Sequence, residues 1–139
     1  MLYYNSMRVR LIASSGVPIY RQIVDQVGDQ IACGRLQPGD RLPSVRELAR
    51  ALPANQNTII KAYEVLERDG LITRRHGDGT FVAAGGSLLS PAERRRILVD
   101  LLGHAALKAQ LFEIAPAELH QLLERQIAAL AQQKENPGG

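Results

Sequence analysis

Tryptophan is absent from this 139-residue chain, cysteine occurs once, and aromatic residues make up only 4%. A single cysteine, Cys33, excludes an internal disulfide and a multi-cysteine zinc site, and it fits a reducing compartment. So few aromatics leave the core to aliphatic side chains, which points to helices. Long apolar runs are missing as well: uninterrupted stretches extend over only a few residues, too short to span a bilayer. Met1 to Ile12 is broken by Asn5, Arg8 and Arg10, so no signal-peptide core is expected there. These absences predict a soluble, cytoplasmic chain with no membrane partner.

Charge of one sign is in modest excess. Lys and Arg number 17 against 14 Asp and Glu, for a formal charge of +3. The excess is not spread evenly. Residues 1–86 hold 11 basic and 8 acidic side chains, while residues 87–139 hold 6 and 6. The break falls at Gly85-Gly86-Ser87, a small-residue stretch suited to a linker. Two units are therefore expected, 1–86 and 87–139, without internal repeats, and the tail Glu135-Asn136-Pro137-Gly138-Gly139 should fray. Basic excess confined to one unit leaves nucleic acid open as its partner.

The first unit reads as strand or coil, three helices and a hairpin. Pro18 suits a first helical position, and Ile19, Ile23, Val27 and Ile31 recur every four residues up to Gly34. Gln37-Pro38-Gly39-Asp40 is a turn. Ser44 and Glu47 predict a capping box opening a second helix of about nine residues, with Val45, Leu48, Ala49 and Leu52 on its apolar face. Pro53 ends that helix. A third helix should run from Gln56 to Asp69 with Ile59, Ala62, Tyr63 and Leu66 inward. Residues 71–75 and 80–83 are β-type runs around the turn His76-Gly77-Asp78-Gly79. Helix, short helix, tight turn, helix and two-stranded ribbon together make a winged helix-turn-helix order.

That order places the third helix in the major groove of DNA, with its first turn at the base edges. The residues there are Asn55, Gln56, Asn57 and Thr58, with Lys61 one turn later. Amide side chains can pair bidentately with adenine and the Thr methyl can meet thymine. Lys61 suits a phosphate or a guanine. A merely solvated helix face usually carries Glu and Lys, so four polar uncharged residues favour DNA reading. For Asn55 alone, helix capping explains the residue equally well. Arg74, Arg75, His76 and Gly77 lie on the ribbon and its tip, where arginines favour a narrow minor groove; adjacent strand residues alternate faces, so one arginine of the two should face DNA. Ser44 and Arg46 sit where the second helix crosses the backbone, Ser44 also as a plain cap.

The blocks Pro18-Ile19-Tyr20-Arg21-Gln22-Ile23, Gly34-Arg35-Leu36-Gln37-Pro38-Gly39-Asp40-Arg41-Leu42-Pro43-Ser44-Val45-Arg46-Glu47-Leu48-Ala49, Asn57-Thr58-Ile59-Ile60-Lys61-Ala62-Tyr63-Glu64-Val65-Leu66-Glu67 and Gly77-Asp78-Gly79-Thr80-Phe81-Val82 occur in order. Their spacing over residues 17–83 resembles the GntR family of bacterial transcription regulators. The resemblance implies an amino-terminal DNA-binding domain, a variable carboxy-terminal domain for dimerisation or effector sensing, and DNA contact by Arg46, Gln56, Asn57, Thr58, Lys61, His76 and Gly77. It also implies repression more than activation. The chain departs from the pattern at Gln56, where many members carry Arg or Pro, at Ile60, where some carry a contacting Arg, and at Pro53, which replaces a turn glycine. Those departures bear on the operator sequence.

The second unit opens with Ser90-Pro91-Ala92-Glu93, a capping box with proline at the first helical position. Ile97, Leu98, Leu101, Leu102, Ala105 and Leu111 mark an apolar stripe, and Pro116 restarts a helix carrying Leu119, Leu122, Leu123, Ile127 and Leu130. Two such helices cannot enclose a core. Their leucines need a partner, and a second copy would match a palindromic site. The short two-helix tail is similar to the YtrA-type subfamily of GntR regulators. A small-molecule effector, its identity open, would need a pocket between subunits or between the tail and the winged domain.

Other signals carry no chemistry. His104 and His120 lack convincing ligand spacing, Gly77-Asp78-Gly79 is no phosphate loop, and Cys33 is expected as a small packed residue. Arg94-Arg95-Arg96 reads as a solvated helix start or a phosphate contact. No catalytic constellation, metal or cofactor is implied. The expectation is a mainly α protein with a small β-wing: a winged helix-turn-helix domain followed by a two-helix dimerisation tail, binding double-stranded DNA as a homodimer. A winged helix used only as a protein-interaction module is the alternative.

Overall fold

Three glutamines explain how the chain begins. The computed structural model describes residues 2–4, 7–86 and 88–135; Ser87 of the expected linker and residues 136–139 of the expected frayed tail lie outside the described residues. Strand β1 (Leu2–Tyr4) pairs antiparallel with β2 (Met7–Val9). Met7 and Val9 are fully buried, while Arg8, Arg10 and Ile12 turn their backbone groups toward helix α1 (Ile19–Ala32). There the side-chain amides of Gln30, Gln26 and Gln22 accept from the N–H of Arg8, Arg10 and Ile12, each at 2.8 Å. The same amides donate to the carbonyls of those residues, at 2.6, 2.6 and 2.9 Å. Four helical residues rise about 6 Å and two strand residues about 6.7 Å, so the glutamines keep step with alternate residues of an extended chain. They act as a neighbouring strand for β2 and the residues that follow it, satisfying the backbone groups of Arg8, Arg10 and Ile12.

Pro18 is the N-cap of α1 rather than its first residue; its carbonyl accepts from the N–H of Arg21 and Gln22. After α1 come β3 (Arg41–Leu42), α2 (Val45–Ala51) and α3 (Gln56–Arg68). The wing strands are β4 (Ile72–Arg75) and β5 (Gly79–Val82). The ribbon expected as two-stranded has three strands in the order β3-β5-β4, all antiparallel. Ile72, Thr80, Val82 and Leu42 share the buried face. Ile72, Val82 and Leu42 join Ile23 and Val27 of α1, Leu48 of α2 and Ile59, Ala62, Tyr63 and Leu66 of α3 in one core. Burial of aliphatic side chains is the main force holding these short elements together. The hydroxyl of Tyr63, itself fully buried, donates to the carbonyl of Pro43 at 2.6 Å and ties α3 to the chain entering α2.

The chain divides into two compact units between Leu88 and Leu89. The second consists of α4 (Pro91–Leu111) and α5 (Pro116–Glu135). The capping box is complete here: Ser90 Oγ accepts from the N–H of Glu93 at 3.1 Å, and Glu93 Oε2 accepts from the N–H of Ser90 at 3.1 Å. At Ser44 only the serine half forms, with Oγ accepting from the N–H of Glu47 at 3.1 Å. Apolar residues on α4 extend beyond the expected stripe. Val99 and Leu107 lie off it, and they are exposed with the rest. Ala109 alone is buried among the described residues of this unit.

Candidate nucleic-acid interface

The first turn of α3 leaves two side-chain amides in solvent. Asn55 takes the capping role, its Oδ1 accepting from the N–H of Thr58 at 2.9 Å. Gln56 and Asn57 are therefore not needed to cap the helix. Both are exposed, and among the described residues neither side chain has a hydrogen-bond partner. Thr58 is half-buried. Ile59, Ala62, Tyr63 and Leu66 hold the opposite face in the core, so the amphipathic pattern fixes which side of the helix faces out. Lys61 is exposed, and its ammonium sits 4.0 Å from the centre of the Tyr20 ring. This contact steadies a long flexible cation on the exposed side of α3, a placement that the sequence pattern does not reveal.

Ser44 is half-buried at the start of α2, with its hydroxyl engaged as a cap; Arg46, on the first turn, is exposed. The two wing arginines separate as strand alternation requires. Arg74 lies on the same sheet face as Thr80, its guanidinium 6.0 Å from the Tyr63 ring, whereas Arg75 lies on the opposite face, 4.6 Å from the Phe81 ring. His76 and Gly77 form the exposed tip, and Gly77 holds φ at 83° with open space around it. That backbone conformation strongly favours glycine.

Other expectations fare differently. Cys33 is exposed rather than packed, because it follows the last turn of α1 as the C-cap and no longer shares that helix's inward face. Arg94 Nε donates to the carbonyl of Leu89 at 3.3 Å, and Arg95 and Arg96 are exposed. Leu98, Leu101, Leu102, Leu122, Leu123 and Ile127 are all exposed, and Leu119 is half-buried. A cleft of about 740 Å³ opens at the elbow between α4 and α5, lined by Leu107, Gln110, Glu113, Ile114, Leu119 and His120. It lies within the tail, not between units. Among the described residues no three His, Cys, Asp or Glu gather as metal ligands, and no helix is long and apolar enough to cross a membrane.

Three helices backed by a three-stranded wing, with unengaged amides on the outer turn of the third helix, define a winged-helix DNA-binding transcription regulator. Comparison with known proteins gives the family. Residues 19–82 match the model for bacterial regulatory proteins of the gntR family. Over 128 residues the chain is 32% identical to the HTH-type transcriptional repressor YtrA of Bacillus subtilis (strain 168), covering 92% of this chain and 98% of that one. The structure of YtrA from Sulfolobus acidocaldarius, a GntR-family transcription factor, is similar with a TM-score of 0.53 at 35% identity, over 72% of this chain and 97% of the other. A transcriptional antiterminator from Listeria monocytogenes EGD-e is similar with a TM-score of 0.56 at 30% identity, over 96% of both chains. The chain belongs to the gntR family. Membership sets aside the protein-interaction module without DNA binding.

Proposed function

We propose that the chain is a homodimeric repressor that binds a palindromic operator. The first turn of α3 enters the major groove, with Gln56, Asn57 and Thr58 at base edges and Lys61 on the adjoining phosphate or a guanine. Ser44 and Arg46 hold the backbone where α2 crosses it. Arg75, His76 and Gly77 carry the wing onto the flanking minor groove. The observation that carries this reading is the division of labour at the start of α3: Asn55 caps, so the amides of Gln56 and Asn57 have no structural task. Buried or capping amides would have left nothing to read with.

The second copy follows from the tail. Leu98, Leu101 and Ile127 are 56%, 60% and 58% exposed, and each fully covered leucine contributes roughly 1.5–3 kcal/mol. A twofold partner covers the same face on both copies and sets two reading helices one turn of DNA apart. Repression is supported by the Bacillus subtilis relative, itself a repressor by name. A cytoplasmic location accords with a DNA partner.

Selection of preferred duplexes from a random pool tests the reading, with stoichiometry taken from sedimentation. A palindromic site bound by two chains is expected. Asn57→Ala should relax preference at one position of each half-site by about 1–3 kcal/mol, and Leu101→Glu should yield monomers that bind weakly. A monomer that reads an asymmetric site, or unchanged preference in Asn57→Ala, overturns it.

A further inference from the structure

One aromatic ring of α1 stands beside α3. Tyr20, on the first turn of α1, is half-buried and packs against the core. The Lys61 ammonium lies over its ring, 4.0 Å from the centre, and the Arg21 guanidinium stands 5.5 Å from the same centre. The two cations differ in their other company. Arg21 pairs with Asp25 one turn on, at 3.9 Å. Among the described residues Lys61 forms no ion pair, and the Tyr20 hydroxyl has no hydrogen-bond partner. Lys61 follows Asn57 by four residues, so the two share one exposed side of α3.

A lysine carries its charge on a flexible four-carbon stem, and it loses that freedom when a ligand catches it. A ring held by the core removes part of this loss before binding. It does so without competing for the charge. An ammonium has three N–H donors, and one lying on an aromatic face keeps others for phosphate or base oxygens. A carboxylate partner would first have to be displaced. We propose that Tyr20 is a positioning residue for DNA binding: its ring holds the Lys61 ammonium in place for the duplex, so that α1 contributes to affinity through α3. This rests on the reading that Lys61 meets DNA.

A double-mutant cycle on the full chain tests this, with affinity for the selected duplex measured at one fixed salt concentration. Tyr20→Leu should weaken binding roughly two- to tenfold, and Tyr20→Phe, which keeps the ring, should restore most of the affinity. In a Lys61→Gln chain the same Tyr20→Leu change should have no further effect. The ε-methylene protons of Lys61 should resonate upfield in the parent and in Tyr20→Phe, through the ring current, and return to ordinary shifts in Tyr20→Leu. Thermal unfolding checks each chain, and Tyr20→Met replaces the leucine variant if that one does not fold. A loss that persists in the Lys61→Gln background assigns Tyr20 a structural role or a contact of its own and overturns the proposal. So does a Tyr20→Leu chain that binds like the parent, or a loss in Tyr20→Phe as large as in Tyr20→Leu. A Lys61→Gln chain that binds like the parent takes Lys61 off the DNA: the reading beneath then fails and the proposal with it, a distinct result because it appears before Tyr20 is changed.

Discussion

Gln30 and Arg8 form a closed two-bond ring: the Gln30 amide accepts the Arg8 N–H at 2.8 Å and donates to the Arg8 carbonyl at 2.6 Å. It is the pairing that a backbone residue would make in an antiparallel ladder, supplied by a side chain. Gln26 repeats it on Arg10 and Gln22 on Ile12. Gln30→Ala should cost about 1–3 kcal/mol, because it strands a partly buried donor and acceptor together. Gln22→Ala should cost more, since its amide nitrogen shares its two hydrogens among the Ile12 carbonyl, Ser15 Oγ and the Val17 carbonyl, whereas that of Gln30 has one further acceptor, the Gln26 carbonyl. Denaturant unfolding at fixed protein concentration measures both, and hydrogen exchange at the Arg8 amide should quicken in Gln30→Ala. A stability equal to the parent's in both variants would show that water replaces the ladder at no cost.

Tyr63→Phe isolates the tie between α3 and the entry to α2. The substitution keeps the ring in the core and removes only the hydroxyl that donates to the Pro43 carbonyl at 2.6 Å. Both groups are buried, so the carbonyl loses its partner without gaining water. The expected loss is about 1–3 kcal/mol, read from chemical denaturation. Because the bond fixes α3 against α2, the affinity for the selected duplex should fall as well. An unchanged unfolding midpoint would mean that another donor reaches Pro43.

How much of this was written in the chain depends on how local the cause is. Helix starts at Ser44, Asn55 and Ser90 rest on one side chain and the next turn, and those residues announce them. The core face of α3 follows from the spacing of Ile59, Ala62, Tyr63 and Leu66. β3 is different: Arg41 and Leu42 are two residues between a turn and a proline, and they become a strand only through pairing with β5. Arg41 accordingly went unnoticed as a member of the wing face. The glutamine ladder was hidden for a related reason. Gln22, Gln26 and Gln30 look like the wet side of an amphipathic helix, and their partners are backbone groups, which have no letter in the sequence. Uncharged amides repeated at every fourth residue, beside the alternation Met7-Arg8-Val9-Arg10, were the available signal. The exposed amides of Gln56 and Asn57, for which base reading is proposed, were legible from residue type, whereas the seat of Lys61 on Tyr20 needed the packing of α1 on α3.

Asp29 gives the fold a small pH dependence. Burial near the end of α1 raises its carboxyl above the ordinary value of 3.8, and the neighbouring Asp25 carboxylate adds to the rise. The end of a helix also disfavours negative charge. A group whose folded pKa exceeds its unfolded one favours the folded state while protonated; that stabilisation is complete below the ordinary value and is lost as pH rises through the raised one. At neutral pH the carboxylate therefore weighs against folding. Asp29→Asn should melt at a higher temperature than the parent near neutrality, and the gap should close as pH falls below the ordinary carboxylate range. A gap of the same size at both ends of the pH range would assign the effect to something other than charge.

Glu113 is the one non-glycine residue with positive φ among the described residues, at 58°. It closes α4: its own N–H reaches the Gln110 carbonyl at 3.2 Å, and the N–H of Ile114 reaches the Ala109 carbonyl at 2.8 Å. Glycine commonly fills this position because a Cβ in left-handed backbone costs about 1–2 kcal/mol. Part of any gain from glycine is returned by its greater freedom in the unfolded chain. Glu113→Gly should therefore stabilise the protein by about 0.5–1 kcal/mol, whereas Glu113→Ala keeps the Cβ and should gain nothing from the backbone. Unfolding of the two variants side by side separates backbone strain from the loss of the carboxylate. Should alanine stabilise as much as glycine, the cost lies in the Glu113 charge at the mouth of the elbow cleft, and the left-handed turn is relaxed by its surroundings.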